Sequence, residues 1–175
     1  MNMIDQRNDD NNRLPLNPIR IEEVGFLRGV VPEGQRAEAP LVEVTRKLVY
    51  YMDEAANRGK FEDTQISQMP DGFYNHHSKY GERGFHVCDV EECAQPGAKK
   101  PLMSGEFAWK SRGVIMVIPT GIVHYLLDHN LKPNDDFLHR LAQLPDPPED
   151  FKGTKQSWIA PNTNKLFQIE TRITR

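Results

Sequence analysis

The chain has 175 residues, with 22 Lys and Arg against 25 Asp and Glu and a formal net charge of −3. That length suits one domain, or one domain with a tail, and the near-even charge argues against a surface built to neutralise phosphates. Its longest apolar run, Val114 to Pro119, is far short of the roughly 20 residues of a membrane span, and the polar stretch Met1 to Arg13 lacks the apolar core of a secretory signal.

Residues 1–18 read as a disordered arm, because Asn, Asp and Gln dominate and Pro15 and Pro18 interrupt regular structure. Ile19 to Leu27 fits a weak strand or a helical turn equally well, and Gly29 to Pro40 is a loop by its Gly and Pro content. Over Leu41 to Arg58, apolar Leu41, Val44, Leu48, Tyr51, Met52 and Ala55 recur at three- and four-residue spacing. That is the stripe of an amphipathic helix. Pro40 suits its first turn and Gly59 its end. Phe61 to Gly84 is polar and rich in turn residues, Met69-Pro70-Asp71-Gly72 among them. It reads as a long loop of the kind that is either functional or disordered.

Gly84 to Asp89 then reads as a short strand carrying Cys88, and Glu91 to Pro101 as a knuckle. Glu106 to Lys110 and Gly113 to Ile118, joined by Ser111-Arg112-Gly113, form a predicted β-hairpin. Thr120 is placed to cap a short helix over Gly121 to His129, which Asn130 ends in the left-handed conformation. Asn134 caps a third helix, with Asp135 and Asp136 in its first turn and Phe137, Leu138, Leu141 and Leu144 on its apolar face. The Pro-rich stretch Leu144 to Asp150 ends it as a stiff linker. Gln156 to Ala160 and Lys165 to Ile173 flank a turn and suggest a closing hairpin. The expected organisation is an arm over 1–18, one α+β domain over 19–144, and a linker with a C-terminal β-hairpin over 145–175.

The chemistry concentrates at Cys88 and Cys93. With no secretory signal the cytoplasm is the expected compartment, where thiols stay reduced. A close pair of reduced cysteines points to metal rather than a disulfide. Two further ligands are then required, and His124 and His129 supply them on the predicted short helix. The order Cys88-x4-Cys93, hairpin, His124-x4-His129 is the ligand set and element order of a Cys2His2 zinc site, whose pairs come as C-x2–4-C and H-x3–5-H. The 30 residues between the pairs exceed the roughly 12–15 of a DNA-reading finger, so that geometry does not follow. Residues five apart on an ideal helix lie about 140° apart, so both imidazoles reach one metal only if the helix loosens near His129. Taken singly, each residue has a plain alternative: His129 as a partner of the helix dipole, His124 as a core histidine, Cys88 and Cys93 as small buried hydrophobes. His86, two residues before Cys88 and on the same face of an alternating strand, is an alternative or outer ligand. Four protein ligands would close the site and make the zinc structural rather than catalytic.

Two weaker clusters stand beside it. His76-His77 in the polar stretch is compatible with a metal-dependent nuclease in which an imidazole activates water, and equally with exposed loop histidines. Lys99, Lys100, Lys110 and Arg112 surround Trp109, so a basic-aromatic patch on the hairpin is conceivable as a contact for single-stranded bases. A Trp in the core with solvated lysines is the plainer reading. No GxGxxG, P-loop or G-x-S-x-G motif occurs.

From Gly84 to Leu141, about a third of the chain, the sequence resembles a widespread group of small, uncharacterised bacterial proteins. Their pattern is a Cys pair after His-x-Cys, a Gly-Glu-led strand, and a helix reading Pro-x-x-Ile-x-His-Tyr-x-x-x-His followed by x-x-Pro-Pro-x-x-Phe. The matching residues are His86, Cys88, Cys93, Gly105, Glu106, Pro119, Ile122, His124, Tyr125, His129, Pro133 and Phe137. The group's cysteines are closer to C-x2-C, and Asn134 stands where it has a second Pro. The resemblance implies a metal-binding fold and carries no activity with it.

The expected fold is α+β, with a small zinc-finger-like ββα centre (the hairpin plus the short helix) packed on the Leu41 to Arg58 helix. The expected function is that of a zinc-stabilised cytoplasmic binding or adaptor module that contacts a protein partner through the stretch containing His76 and His77, or through Trp109 and Lys110. Nucleic acid is a less favoured partner, and no membrane is expected. The alternative is a metal-dependent, nuclease-like hydrolase using His76, His77 or His86.

Overall fold

The centre of the fold is a tight β-hairpin over Glu106 to Pro119. The structure, a computed structural model, describes residues 20–23, 36–77, 86–88, 90, 93, 102–103, 105–156 and 159. In chain order these form β1 (Arg20–Glu23), α1 (Val42–Ala56), β2 (Lys60–Phe61), α2 (Asp63–Ser67), β3 (Gly72–His76), β4 (His86–Val87), β5 (Leu102–Met103), β6 (Glu106–Ser111), β7 (Val114–Pro119), α3 (Ile122–Asp128) and α4 (Asp135–Ala142). The class is α+β, as the sequence predicts. The arm over 1–18 and nearly all of the C-terminal hairpin lie outside the described residues.

Strands β6 and β7 pair antiparallel from Glu106 opposite Pro119 to Ser111 opposite Val114. Their turn holds Arg112 at φ 52° and Gly113 at φ 75°. Two consecutive positive φ values are what a two-residue primed turn requires, and its twist matches that of the flanking strands. Outward from this hairpin, β3 pairs antiparallel with β6 and β2 parallel with β3. On the other side β1 runs parallel to β7, so the five-stranded sheet has the order β1-β7-β6-β3-β2. A separate two-stranded ribbon joins β4 to β5, with His86 opposite Met103.

One face of the sheet packs on α1, α3 and α4. Phe73 sits opposite Trp109 across β3 and β6, and their rings stack at 4.9 Å. Tyr51 of α1 stacks on the far side of Phe73, and Phe137 of α4 meets Trp109 edge-on at 5.6 Å. Around this column Leu48, Met52, Phe107, Ile118, Ile122, Tyr125 and Leu126 are fully buried. Offset and edge-on rings add to the gain from burying their area.

The other face carries a smaller cluster of Ile66, Tyr74, Ala108 and Ile115 beneath α2. Here the structure corrects the expected long loop. Residues 60–76 form β2, α2 and β3 in succession. Gly72–His76 shows no apolar alternation because both of its faces are covered: Phe73, Tyr74, Asn75 and His76 are all buried. α2 starts with a capping box in which Gln65 accepts from the Glu62 amide at 2.9 Å. A Glu in place of the usual Ser or Thr at the cap hides that signal.

The helices otherwise follow the sequence closely. α1 spans Val42–Ala56, and Asn134 caps α4 by accepting from the Phe137 amide at 2.8 Å. The residue at the α3 cap is Gly121 rather than Thr120, which lies one position earlier with its carbonyl accepting from the Val123 amide. No described helix is long and apolar enough to cross a membrane.

Candidate metal centre

Four side chains converge at the end of α3 opposite the β4–β5 ribbon. Cys88 directly follows β4, so the ribbon fixes where its thiol begins. The Cys93 amide then donates to the Val90 carbonyl at 2.8 Å, turning the chain so that the second thiol returns to the first. Cys88 and Val90 belong to the main core, and Cys93 packs half-buried against it.

His124 lies in the middle of α3 and His129 at its C-cap, with φ −117° and ψ 6°. The next residue, Asn130, adopts φ 52°, the left-handed exit the sequence predicts. The chain is held in that turn from both sides. The amides of His129 and Leu131 both donate to the Tyr125 carbonyl, and the Ala37 amide donates to the Asn130 carbonyl at 2.7 Å. Leaving the helix at His129 removes the angular obstacle. The two rings stand nearly perpendicular, at 88°, and their Nε2 atoms are 3.1 Å apart.

The ligand atoms of Cys88, Cys93, His124 and His129 all lie within 4.8 Å of one another. Cys88 Sγ is 3.3 Å and Cys93 Sγ 3.4 Å from His129 Nε2, and Cys93 Sγ is 3.5 Å from His124 Nε2. Zinc–sulfur bonds of about 2.3 Å and zinc–nitrogen bonds of about 2.0–2.1 Å imply tetrahedral S···N edges of about 3.5 Å and an N···N edge of about 3.3 Å. The three S···N edges and the one N···N edge fall within about 0.2 Å of those values, and the whole set spans no more than 4.8 Å. Two thiols and two imidazoles could therefore hold one zinc-sized ion.

Asp128, which the sequence reading passed over, completes the arrangement. Its Oδ2 lies 2.6 Å from His124 Nδ1, with the two side chains 16% and 4% exposed. The i, i+4 spacing on a predicted helix was the available signal. Cys93, His124 and Asp128 by themselves line up as thiol, imidazole and carboxylate, the order of a nucleophilic triad. The rest of the geometry differs from a relay. The same His124 Nε2 also faces His129 Nε2, whose own contacts include both thiols, so the atoms meet at a point.

The remaining candidates sit elsewhere. His76 is buried in the sheet, with Nε2 2.5 Å from Asp63 Oδ1 and Nδ1 3.2 Å from Glu106 Oε2. Both ring nitrogens are committed to carboxylates, which leaves none to activate water. His77 is exposed at the end of β3. Trp109 is 2% exposed and stacked in the core, so it offers no face to a base or a partner. Lys110 donates to the carbonyls of Ser67 and Met69 at 2.8 and 2.6 Å, closing the end of α2. His86 falls in β4, and its side chain lies outside the described residues, as do Lys99 and Lys100.

No family model, curated protein or solved structure matches the chain.

Proposed function

We propose that the chain is a zinc-stabilised binding module whose Cys88, Cys93, His124 and His129 hold one structural Zn²⁺. The observation that carries this reading is the convergence of two thiols and two imidazoles whose ligand atoms all lie within 4.8 Å of one another, with S···N and N···N contacts of 3.1–3.5 Å among them. Zinc filled by four protein ligands keeps no position for water, so it contributes folding free energy rather than a nucleophile. The donor set suits the ion: thiolate with imidazole selects zinc over hard cations such as Mg²⁺ or Ca²⁺. A binding role, with a protein as partner, agrees with the near-balanced charge of the chain and with a candidate centre bound into the core rather than opened to substrate.

Cobalt substitution tests the coordination. The Co²⁺-loaded protein is expected to show the intense visible bands of a four-coordinate S2N2 site together with thiolate charge transfer, and Cys88→Ser is expected to abolish the latter's full intensity. A weak, six-coordinate spectrum, or a hydrolytic activity that rises in step with zinc content, contradicts a closed structural site.

A further inference from the structure

We propose that Asp128 is the positioning residue of this metal centre, holding His124 in the one neutral tautomer that can ligate through Nε2. The proposal rests on the zinc reading above and extends it to a residue outside the ligand set. A carboxylate only accepts hydrogen bonds, so the hydrogen shared across the 2.6 Å contact between Asp128 Oδ2 and His124 Nδ1 sits on Nδ1. The lone pair of the neutral ring is then on Nε2. That is the atom lying 3.5 Å from Cys93 Sγ and 3.1 Å from His129 Nε2. The opposite tautomer would put a hydrogen into the centre of the cluster and a lone pair against the carboxylate.

A second observation separates this role from ordinary helix stabilisation. Asp128 is the last residue of α3, and that helix has no basic residue in its last turn. An acidic side chain there opposes the helix dipole, so the dipole does not account for its place. The ligand, by contrast, gains from it. The bond fixes the ring's orientation, and the nearby negative charge favours a cation held at Nε2. Outer carboxylates of this kind typically change metal affinity by about 10–100-fold.

Chelator-competition titrations with Zn²⁺ on wild type, Asp128→Asn, Asp128→Ala and Asp128→Glu test the proposal, with melting of each metal-free protein measured beside them. The expected result is zinc affinity about 10–100-fold weaker for the Asn and Ala variants and partial recovery for Glu, with the loss persisting at temperatures where each metal-free protein is fully folded. The ¹⁵N shifts of the His124 ring in the metal-free wild type are expected to report hydrogen on Nδ1, a readout that a merely structural aspartate would not set. Wild type that binds zinc no better than Asp128→Asn and Asp128→Ala overturns the positioning role and leaves the zinc reading standing. A His124 ring carrying its hydrogen on Nε2 does the same. Wild type that binds no zinc overturns the zinc reading, and this proposal with it.

Discussion

At His76 both ring nitrogens face carboxylates, Asp63 on one side and Glu106 on the other. Carboxylates only accept, so both nitrogens carry hydrogen and the ring is an imidazolium. Burial pulls its pKa down, but the bonds to Glu106 and Asp63 outweigh that and hold it above the ordinary 6.5. A pKa raised on folding stabilises the protein fully below the unfolded value and loses that contribution as pH climbs through the folded one. Wild type is therefore expected to exceed His76→Gln in stability most below the ordinary histidine value of 6.5, with the gap narrowing as pH rises above it. Chemical denaturation on both sides of that value checks this, and a gap independent of pH contradicts it. The pair His76-His77 misleads as a sequence because adjacency suggests shared solvent exposure. Strand geometry sends neighbours to opposite faces, one inward to Asp63 and Glu106, the other out. Asp128 was missed for a related reason: an acid on a helix is ordinary until its i−4 neighbour is seen to face a cluster of candidate ligands.

Elements with local causes were legible. The hairpin follows from Ser111-Arg112-Gly113 between apolar runs, α4 from Asn134 and its acidic first turn, and the exit from α3 from Asn130. These causes give direct consequences. Asn134→Ala removes the acceptor for the Phe137 amide and is expected to cost about 1 kcal/mol. Gly113→Val places a β-branched side chain at φ 75° and is expected to cost about 1–2 kcal/mol. Both are read as a lower denaturation midpoint with unchanged slope, and an unchanged midpoint contradicts them. Less legible was the buried side of α1. Lys47 lies within it because its ammonium donates to the Leu141 and Leu144 carbonyls at the end of α4 and pairs with Asp146. Hydropathy alone places a lysine outside. β2, α2 and β3 were missed because two-residue strands carry no periodicity and a strand covered on both faces shows no alternation.

The whole molecule joins its candidate centre to its core. Cys88 and Val90 pack in the same cluster as Phe107, Trp109 and Tyr125, so loss of metal is expected to loosen that cluster as well as the segment bearing the thiols. Chelation should lower the melting temperature and speed alkylation of half-buried Cys93 ahead of Cys88. Equal melting and equal thiol reactivity with and without chelator contradict that coupling. The candidate set Cys88, Cys93, His124 and His129 stood out in the sequence because the spacing within each pair is a local property, and the structure brings the four side chains together. The strand order β1-β7-β6-β3-β2 did not, since β1 reaches β7 across some ninety residues and no pattern within either strand names the other. The central claim is that these four residues hold one zinc ion. Native mass spectrometry of the purified full chain, with elemental analysis, tests it most directly. One zinc per chain is expected, lost on joint replacement of Cys88 and His129; a folded wild-type chain carrying no zinc, even after exposure to excess Zn²⁺, contradicts it.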